Sequence, residues 1–255
     1  MIDGDRLRAL APGSALAARA VHTGEVDSTM EAARRELEGR PPPLLVTAEI
    51  QRLGRGREGR SWHSPAAGNL YVTAALPLFL PLASLPAFTL ACGVAVHQAA
   101  RDLLGPEVEL SIKWPNDLLC RGAKMAGVLC ELLASDPGHV VLCGLGVNVN
   151  AESFPPEIDA IATSMRMASG RTFEREEVLA RICSRLEAAA ELYGREGFGP
   201  FRGECTSRSS LWGRRCRIDA TTGIMESIDE RGALVIRLQD GTTAAVAAGR
   251  LDLLD

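Results

Sequence analysis

The fold is decided by residues 108–150, which read VELSIKWPNDLLCRGAKMAGVLCELLASDPGHVVLCGLGVNVN. Apolar residues alternate with polar ones from Val108 to Trp114, and a period of two is typical of a half-buried strand. Pro115 has no backbone N–H to offer to a neighbouring strand. The predicted strand therefore ends there.

Two longer apolar runs follow in the same stretch, at residues 125–134 and 139–149. Between them lies the sequence SDPG at 135–138, which is a strong turn signal. Strands that are joined by short turns pair in antiparallel order. We therefore predict an antiparallel meander over this part of the chain.

Strands and helices are also predicted on both sides of the meander. The apolar and β-branched segments 44–50 and 69–76 predict strands. Apolar residues at helical spacing predict a core helix from Ser84, as its N-cap, to Gly105, as its stop. A second amphipathic helix is predicted from Glu174 to about Arg195.

The composition changes after the second helix. Short strands are predicted at 214–219, 233–239 and 243–248. Turn signals separate them at 229–232 and 240–241. This pattern predicts a small β-barrel appended to an α+β domain.

The composition indicates a globular chain without a net positive charge that would attract polyanions. Of the 255 residues, 46% are hydrophobic, and 28 basic against 32 acidic side chains give a formal charge of −4. Nucleic acid and anionic membranes are therefore not expected as partners, and any anion site must be local. Seven cysteines without a C-x-x-C pair indicate reduced, buried thiols in a cytoplasmic protein, and the four isolated histidines do not have zinc-site spacing. No signal peptide or membrane span is expected.

The segment from Gly54 to Arg60 formally matches the dinucleotide fingerprint G-x-G-x-x-G and follows a predicted strand. A dinucleotide-binding turn opens a helix and is followed by an acidic residue about 20 positions later. Here Ser64-Pro65 follows at once, and no acidic residue lies between Arg60 and Asp102. We therefore do not interpret the segment as a dinucleotide site.

The same region holds Arg52, Arg55, Arg57 and Arg60, whose guanidiniums can bind phosphate or carboxylate in a bidentate manner. Like charges that lie so close together repel one another. We therefore expect a loop that is mobile when empty and is ordered by a bound anion. The alternative interpretation is a solvated basic surface loop.

Other polar residues lie near the ends of predicted elements, where sites are commonly built. Asn116-Asp117 follows a strand, and Lys124 lies in a polar turn before an apolar run. Ser28-Thr29 indicates a helix N-terminus, whose free N–H groups can bind an anion. Two glycines within the run 139–149 mark a bulge or the close approach of another group. Taken singly, each feature also has an ordinary structural explanation. Asn116-Asp117 fits a turn, Lys124 a surface lysine, Ser28-Thr29 a helix cap, and the two glycines a packed core.

Five motifs, taken in order, resemble those of the biotin protein ligases. They are DST (27–29), GRGREGRSW (54–62) with Gln51 before it, KWPND (113–117), KMAGVLCE (124–131) and GLGVNVN (144–150). The resemblance covers about residues 22–253. It implies an α+β, class II synthetase-like catalytic domain at 1–208 with a mixed, largely antiparallel sheet packed with helices, and a C-terminal SH3-like β-barrel at 209–255.

The resemblance implies a two-step reaction. The biotin carboxylate attacks the α-phosphate of MgATP, which gives biotinyl-5′-AMP and pyrophosphate, and a lysine of a biotin carboxyl carrier protein then takes the acyl group. The implied cofactors are ATP and Mg²⁺, with biotin as substrate. The implied partner is the carrier domain of acetyl-CoA carboxylase or a related carboxylase, in the cytoplasm, without specific DNA or a membrane. A homodimer is left open.

The resemblance also implies roles for individual residues. Lys124 and Arg57 are the catalytic candidates, and Lys124 would contact both the carboxylate and the α-phosphate. The implied contacts to the biotin head group are Ser28, Thr29 and Gln51, and the loop over the adenylate consists of Gly54, Arg55, Gly56 and Arg57. Trp62 would lie on the adenine side, and Gly127 is a further contact. The residues implied for nucleotide or Mg²⁺ are Asn116, Asp117 and Asn148, with Asp117 as the metal ligand.

Two features depart from the family pattern. Met30 follows Ser28-Thr29 where the family usually has asparagine, which puts one side-chain contact with biotin in doubt. About 25 residues precede the first motif, fewer than the roughly 50 that a folded domain needs. We therefore expect neither an N-terminal DNA-binding domain nor repressor function.

Two alternative functions stay open at this point. Lipoate protein ligase has a related fold and an equivalent acyl adenylate, but the tryptophan in the arginine–glycine loop and the KWPND run favour biotin. A non-catalytic nucleic-acid binder would use the arginines on phosphates, and its binding would weaken steeply with salt. Only one local basic cluster supports that interpretation.

Overall fold

The structure, a computed structural model, describes residues 1–66, 68–78, 80–135, 138–209 and 211–254. The strands are β1 (Ala20–Val26), β2 (Leu44–Gln51), β3 (Leu70–Leu76), β4 (Leu110–Lys113), β5 (Asp117–Cys120), β6 (Ala123–Ser135), β7 (Gly138–Val147), β8 (Arg215–Ile218), β9 (Thr221–Ile228), β10 (Leu234–Arg237), β11 (Thr243–Val246) and β12 (Leu251–Leu253). The helices are α1 (Gly4–Leu10), α2 (Ala15–Ala18), α3 (Thr29–Leu37), α4 (Leu85–Leu104), α5 (Pro156–Asp159), α6 (Met165–Ser169), α7 (Arg175–Glu196) and α8 (Gly199–Ser207).

Seven strands form the main sheet, in the order β1-β2-β3-β7-β6-β5-β4. Only β1 and β2 pair in parallel, so the sheet is mixed and largely antiparallel, as predicted. The meander predicted over 108–149 is confirmed, because β4 to β7 are neighbours in chain order. Of the turn predicted at 135–138, residues 136 and 137 lie outside the described part of the chain.

The strand predicted from Val108 to Trp114 is shorter in the structure, where β4 begins at Leu110 and ends at Lys113. A tight turn follows, in which the Asn116 N–H donates to the Lys113 carbonyl over 3.2 Å. This turn sends β5 back along β4. The sequence analysis missed β5 because Asn116-Asp117 carries turn residues at the point where the next strand starts.

The two long helices agree with the sequence prediction. The first, α4, starts one residue after Ser84 and ends at Gly105, whose φ of 82° stops the helix. Ser84 occupies the N-cap position, but its side chain makes no capping hydrogen bond. By length and composition, the segment Leu82–Leu104 could cross a membrane. Of the apolar 18-residue window within it, 67% is buried inside the protein.

Apolar side chains cover both faces of the main sheet. In β2, Leu45 belongs to the large core under α4 and α7, whereas Leu44 and Val46 point to a smaller cluster under α3. This alternation follows from the period of two along a strand. The smaller cluster includes Met30 and Ala33 of α3, so the N-terminal end of that helix is held against the sheet.

The C-terminal region is a five-stranded antiparallel sheet, in the order β11-β10-β9-β8-β12. Its strands β9 and β12 were not predicted. The apolar core continues from α4 into this sheet without a break. The indole Nε1 of Trp114 donates to the Gly232 carbonyl over 3.1 Å, and Gly232 lies against Ala87 of α4. The region is therefore packed on the helical side of the main sheet.

We expect Gly232→Ala to lower the free energy of unfolding by more than backbone strain alone would explain. Gly232 has a φ of +80°, and an added Cβ would lie 2.9 Å from the Cβ of Ala87. Gly241→Ala is a matched control, because Gly241 has a φ of +85° with nothing within 4 Å of an added Cβ. In denaturant unfolding, Gly232→Ala should lose about 1–3 kcal/mol more than the control. Equal losses would show that the C-terminal sheet does not pack on α4 at this position.

Candidate active site

A cavity of about 120 Å³ lies between the start of α3, the arginine–glycine segment and strands β3, β6 and β7. The structure brings all the predicted binding residues to it except Gly54 and Asn148. Its lining comprises Ser28, Thr29, Met30, Gln51, Arg55, Gly56, Arg57, Arg60, Ser61, Trp62, Thr73, Asn116, Asp117, Lys124, Gly127, Val128, Leu129, Gly144, Leu145 and Gly146. Residues that are distant in sequence therefore converge on one place.

Glycines form part of the cavity wall, and large side chains lie directly on them. A Cβ at Gly146 would lie 2.2 Å from Cε2 of Trp62, and one at Gly144 would lie 2.8 Å from Cε of Met30. The predicted close approach of another group to these glycines is confirmed. The register of β7 with both neighbouring strands is regular at these positions, so the glycines do not mark a bulge.

At the start of α3, Thr29 belongs to a hydrogen-bonded chain with Thr73, Gln51 and Ser64, and Ser28 caps the helix separately. The Ser28 Oγ caps the helix by accepting from the Met30 N–H. The N–H and Oγ1 of Thr29 donate to Oε1 of Gln51 over 2.9 and 3.1 Å, and Oγ1 of Thr73 donates to Oγ1 of Thr29 over 2.9 Å. The amide nitrogen of Gln51 donates to Oγ of Ser64. The amide and hydroxyl groups are thus held in fixed orientations at the cavity.

The sequence analysis missed Thr73 as a residue of the site. Thr73 is fully buried in β3, on the same sheet face as Gly144, with which it pairs. A hydroxyl in an otherwise apolar buried strand was the available signal, since a buried polar group needs a partner. Its partner, Thr29, comes from a helix 44 residues earlier, which no local pattern reveals.

The arginine–glycine segment forms a compact, hairpin-like loop. The Gly56 N–H donates to the Arg60 carbonyl over 2.7 Å, and the Trp62 N–H donates to the Gly54 carbonyl over 2.8 Å. A Cβ at Gly54 would lie 2.4 Å from the Trp62 carbonyl oxygen, so the two sides of the loop meet there. Gly54 therefore allows the loop to close, although it does not line the cavity.

Each of the four arginines has an acceptor, which offsets the mutual repulsion that we expected. The acceptors are the carboxylates of Glu25 for Arg52 at 2.7 Å, Glu31 and Glu131 for Arg55 at 2.9 and 3.3 Å, Glu58 for Arg60 at 3.7 Å, and the carbonyl of Gly249 for Arg57 at 3.3 Å. Repulsion alone therefore gives no reason for the empty loop to be mobile. Ordering of the loop by an anion stays a prediction.

Arg57 differs from the other three arginines because its side chain is only 20% exposed. Burial lowers the pKa of Arg57, and the nearby carboxylate of Glu58 partly opposes that effect. Its closest acceptor is the neutral carbonyl of Gly249, in the C-terminal region. An anion in the cavity would stabilise this guanidinium far more than a carbonyl does.

Lys124 lies at the other side of the cavity, in β6. Its Nζ is 2.7 Å from Oδ1 of Asp117 and 5.1 Å from the ring centroid of Trp62. The approach to Asp117 is an ion pair without hydrogen-bond geometry, so this buried Oδ1 has no hydrogen-bond partner among the described residues. The same is true of the buried Nε1 of Trp62. Of these two atoms, Oδ1 of Asp117 is engaged in the ion pair with Lys124, whereas Nε1 of Trp62 has no polar partner among the described residues.

Asn148 does not reach the cavity, although the motif suggested that it would. Its Nδ2 donates to the Thr163 carbonyl over 3.0 Å. The Thr163 N–H in turn donates to the Lys124 carbonyl over 2.9 Å, and the Lys124 N–H donates to the Ile161 carbonyl over 2.7 Å. The structure thus connects Asn148 to the backbone of Lys124. Asn116 lines the cavity, with its Nδ2 donating to the Val128 carbonyl.

The site combines four cationic side chains (Arg55, Arg57, Arg60 and Lys124), one carboxylate and a hydrogen-bonded hydroxyl–amide group around a cavity with partly apolar walls. Such a site favours a ligand with an uncharged polar head, an apolar middle and a carboxylate or phosphate next to Lys124 and Arg57. No serine, cysteine and histidine arrangement lines it, so the lining does not suggest a covalent enzyme intermediate.

Comparisons with known proteins agree with this geometry. Residues 24–148 match the model of the biotin/lipoate A/B protein ligase family. A biotin acetyl-CoA-carboxylase ligase of Paracoccus denitrificans is 33% identical over 233 residues, which is 87% of this chain and 95% of that protein. A bifunctional ligase/repressor BirA of Bacillus spizizenii is 35% identical over 79% of this chain. The chain spans 63% of the length of that relative.

Solved structures show the same similarity. The biotin protein ligase of Aquifex aeolicus, in complex with biotin and ATP, superimposes with a TM-score of 0.79 at 29% identity and covers 92% of this chain and 98% of its own. The biotin protein ligase of Leishmania major, in complex with biotinyl-5-AMP, superimposes with a TM-score of 0.62 at 26% identity and covers 90% and 99%. The similarity therefore extends over both sheets.

We expect Gly146→Ala to displace the indole of Trp62 from the cavity wall. The new Cβ would lie 2.2 Å from the ring, and overpacking of this kind typically costs about 1–3 kcal/mol. Fluorotryptophan labelling should show a shifted ¹⁹F resonance for Trp62, assigned with Trp62→Phe. Gly93→Ala is the control, because an added Cβ in α4 meets nothing within 4 Å. An unshifted Trp62 resonance in Gly146→Ala would contradict the contact.

Proposed function

Because the chain belongs to the biotin protein ligases of the biotin/lipoate A/B protein ligase family, we propose that it is an ATP-dependent ligase. It activates biotin as biotinyl-5′-AMP and transfers the biotinyl group to a lysine of a biotin carboxyl carrier protein. The observation that carries this proposal is the position of Lys124 and Arg57, two partly buried cations on the same small cavity.

The shape and polarity of the cavity support biotin as the ligand. Ser28, together with the hydrogen-bonded pair Thr29 and Gln51, supplies hydroxyl and amide groups for the ureido ring of biotin. Met30 and Leu129 supply apolar wall for its ring and aliphatic chain. Met30, which replaces the usual asparagine, lies over Gly144 and provides this apolar contact in place of an amide.

In the first step, a carboxylate oxygen of biotin attacks the α-phosphorus of ATP, and pyrophosphate leaves. The transition state concentrates negative charge on the phosphoryl oxygens and on the leaving group. Lys124 and Arg57 place positive charge beside those oxygens, and partial burial strengthens this interaction because water screens it less. Asn148 supports the step indirectly, since it helps to hold the backbone of Lys124.

Mg²⁺ enters with ATP in this proposal. Magnesium in such sites is usually bound by one or two carboxylates together with substrate phosphates. Asp117 is the acidic residue of the cavity lining, so it is the carboxylate that would fit this role. The ion would neutralise phosphate charge. Asp117 has a second effect, because its ion pair with Lys124 orients that side chain.

The adenylate would lie between the arginine–glycine loop and Trp62. Arg55 and Gly56 belong to the loop side of the cavity, and Asn116 lies on the opposite side. A closed loop would keep water from the mixed anhydride until the acceptor lysine arrives. In the second step the lysine amine attacks the acyl carbon, and AMP leaves.

Three further observations support a cytoplasmic location, argue against nucleic acid as the ligand, and favour biotin over lipoate. All seven cysteines are buried and free of disulfides, which suits the reducing cytoplasm. Every loop arginine already has an acceptor, which disfavours an open surface for nucleic-acid phosphates. Biotin is preferred to lipoate because two relatives that match 81% and 87% of this chain are biotin acetyl-CoA-carboxylase ligases.

The direct test is transfer of biotin to a purified biotin carboxyl carrier domain. We expect incorporation that needs ATP and Mg²⁺, together with pyrophosphate release only when biotin is present. Biotin at 100 times its Kd should also stabilise the protein by about 2.7 kcal/mol and raise its Tm by roughly 5–10 °C. Lipoate should produce no such shift. Equal shifts, or lipoate transfer at the same rate, would refute the choice of substrate.

Lys124→Ala should slow biotin-dependent pyrophosphate release by about 10²–10³-fold, because it removes a charge that stabilises the transition state. Arg195→Ala is the control, since Arg195 is 62% exposed on α7 and pairs only with neighbouring glutamates. Both variants should keep their far-UV circular dichroism and unfold cooperatively. A Lys124→Ala protein with the wild-type rate would rule out its catalytic role.

A further inference from the structure

Three buried cysteines meet behind the candidate active site. Cys92 lies in α4, Cys130 in β6 and Cys143 in β7, and their sulfur atoms all lie within 4.8 Å of one another. Cys130 and Cys143 are direct cross-strand partners, and Cys92 lies above them from the helix. None of the three lines the active-site cavity.

We propose that Cys92, Cys130 and Cys143 form a three-thiolate site for trivalent arsenic. The spacing fits thiolate coordination. Around a trigonal-pyramidal arsenic with As–S bonds close to the about 2.3 Å of Zn–S bonds, sulfur atoms lie roughly 3.5 Å apart, so the observed sulfurs need to move by no more than roughly 1.5 Å. The helix α4 and the strands β6 and β7 already hold the three thiols together, so binding requires little ordering of the chain.

Charge determines which thiophilic ion fits. The three thiols are 0%, 8% and 0% exposed. The groups that act on Cys130 and Cys143 are the other thiols of the trio and the Thr89 hydroxyl, and no cation is among them. Three thiolates around a divalent ion leave a net charge of −1 in this apolar interior, which is costly. Three thiolates around arsenic(III) leave no charge.

The binding reaction balances without an oxidant or a reductant. Arsenous acid, As(OH)₃, reacts with three thiols to give As(S-Cys)₃ and three molecules of water. Each As–O bond is replaced by an As–S bond, and each thiol proton leaves with a hydroxide. Cys130 is the thiol of the trio that lines a surface cleft, so it is the one placed to react first.

A surface cleft reaches one thiol of the trio, Cys130. The cleft has a volume of about 310 Å³, and its lining includes Thr89 of α4, Cys130, and Ala247 and Ala248 beyond β11. Arsenous acid is small and uncharged at neutral pH, so it can enter apolar surroundings at little cost. The cleft also touches Arg57 and Leu129, which line the active-site cavity. The thiol site therefore adjoins the catalytic one but uses different residues.

The test measures arsenic retained by the folded protein. Wild type, Cys92→Ala and the control Cys205→Ala are incubated with arsenite, passed over a desalting column and analysed for arsenic per chain. Cys205 is also a fully buried thiol, but it lies in α8 and is not part of the trio. Circular dichroism before and after treatment confirms that the chain stays folded. X-ray absorption at the arsenic edge then counts the sulfur neighbours.

We expect one arsenic per chain with three sulfur neighbours in wild type and in Cys205→Ala, and at least tenfold weaker binding in Cys92→Ala. Cd²⁺ at the same concentration should bind more weakly than arsenite, because its complex is charged. Failure of folded wild type to retain arsenic, or equal retention by Cys92→Ala, would overturn the proposal. None of these outcomes depends on ligase activity, so the proposed function is tested separately.

Discussion

The candidate site depends on the absence of side chains on one face of two adjacent strands. Because Gly127 and Gly146 are opposite each other in β6 and β7, the indole of Trp62 can lie directly on the sheet. That contact fixes the end of the arginine–glycine loop, and the ring then lies beneath the ammonium group of Lys124 at 5.1 Å. The end of the loop, the cavity wall and Lys124 therefore meet at one packing contact.

Electrostatic pairing gives the site a second level of organisation. Arg55 is held by Glu31 and Glu131, so the loop is anchored to α3 and β6 before any ligand binds. Arg57 is more buried and has only the carbonyl of Gly249 as its close acceptor. The Glu58 carboxylate is 4.0 Å from this guanidinium, so its positive charge is only partly offset. An anionic ligand would gain most at this point, because it replaces a neutral acceptor with a charged one.

The C-terminal sheet contributes to this arrangement although it lies outside the main sheet. It reaches the arginine–glycine loop through Gly249 and the KWPND turn through the Trp114–Gly232 hydrogen bond. Its apolar residues also continue the core under α4. Two segments of the site are therefore supported by a region that the sequence alone presents as an appended unit. The boundary at 208 and 209 stays a prediction, because the continuous core does not by itself mark it.

The sequence by itself determined the elements with strong periodicity, namely β2, β3, the meander, α4 and α7, together with the residue types that meet at the cavity. Only the tertiary structure decided that β1 pairs in parallel with β2, that Asn148 is connected through Thr163 to the backbone of Lys124, and that Thr73 lines the cavity. It also placed Cys92 beside two cross-strand thiols. The physical reason is the range of the interactions: periodicity and turn chemistry act between near neighbours, whereas hydrogen-bond partners, ion pairs and close approaches join residues that are far apart in the chain.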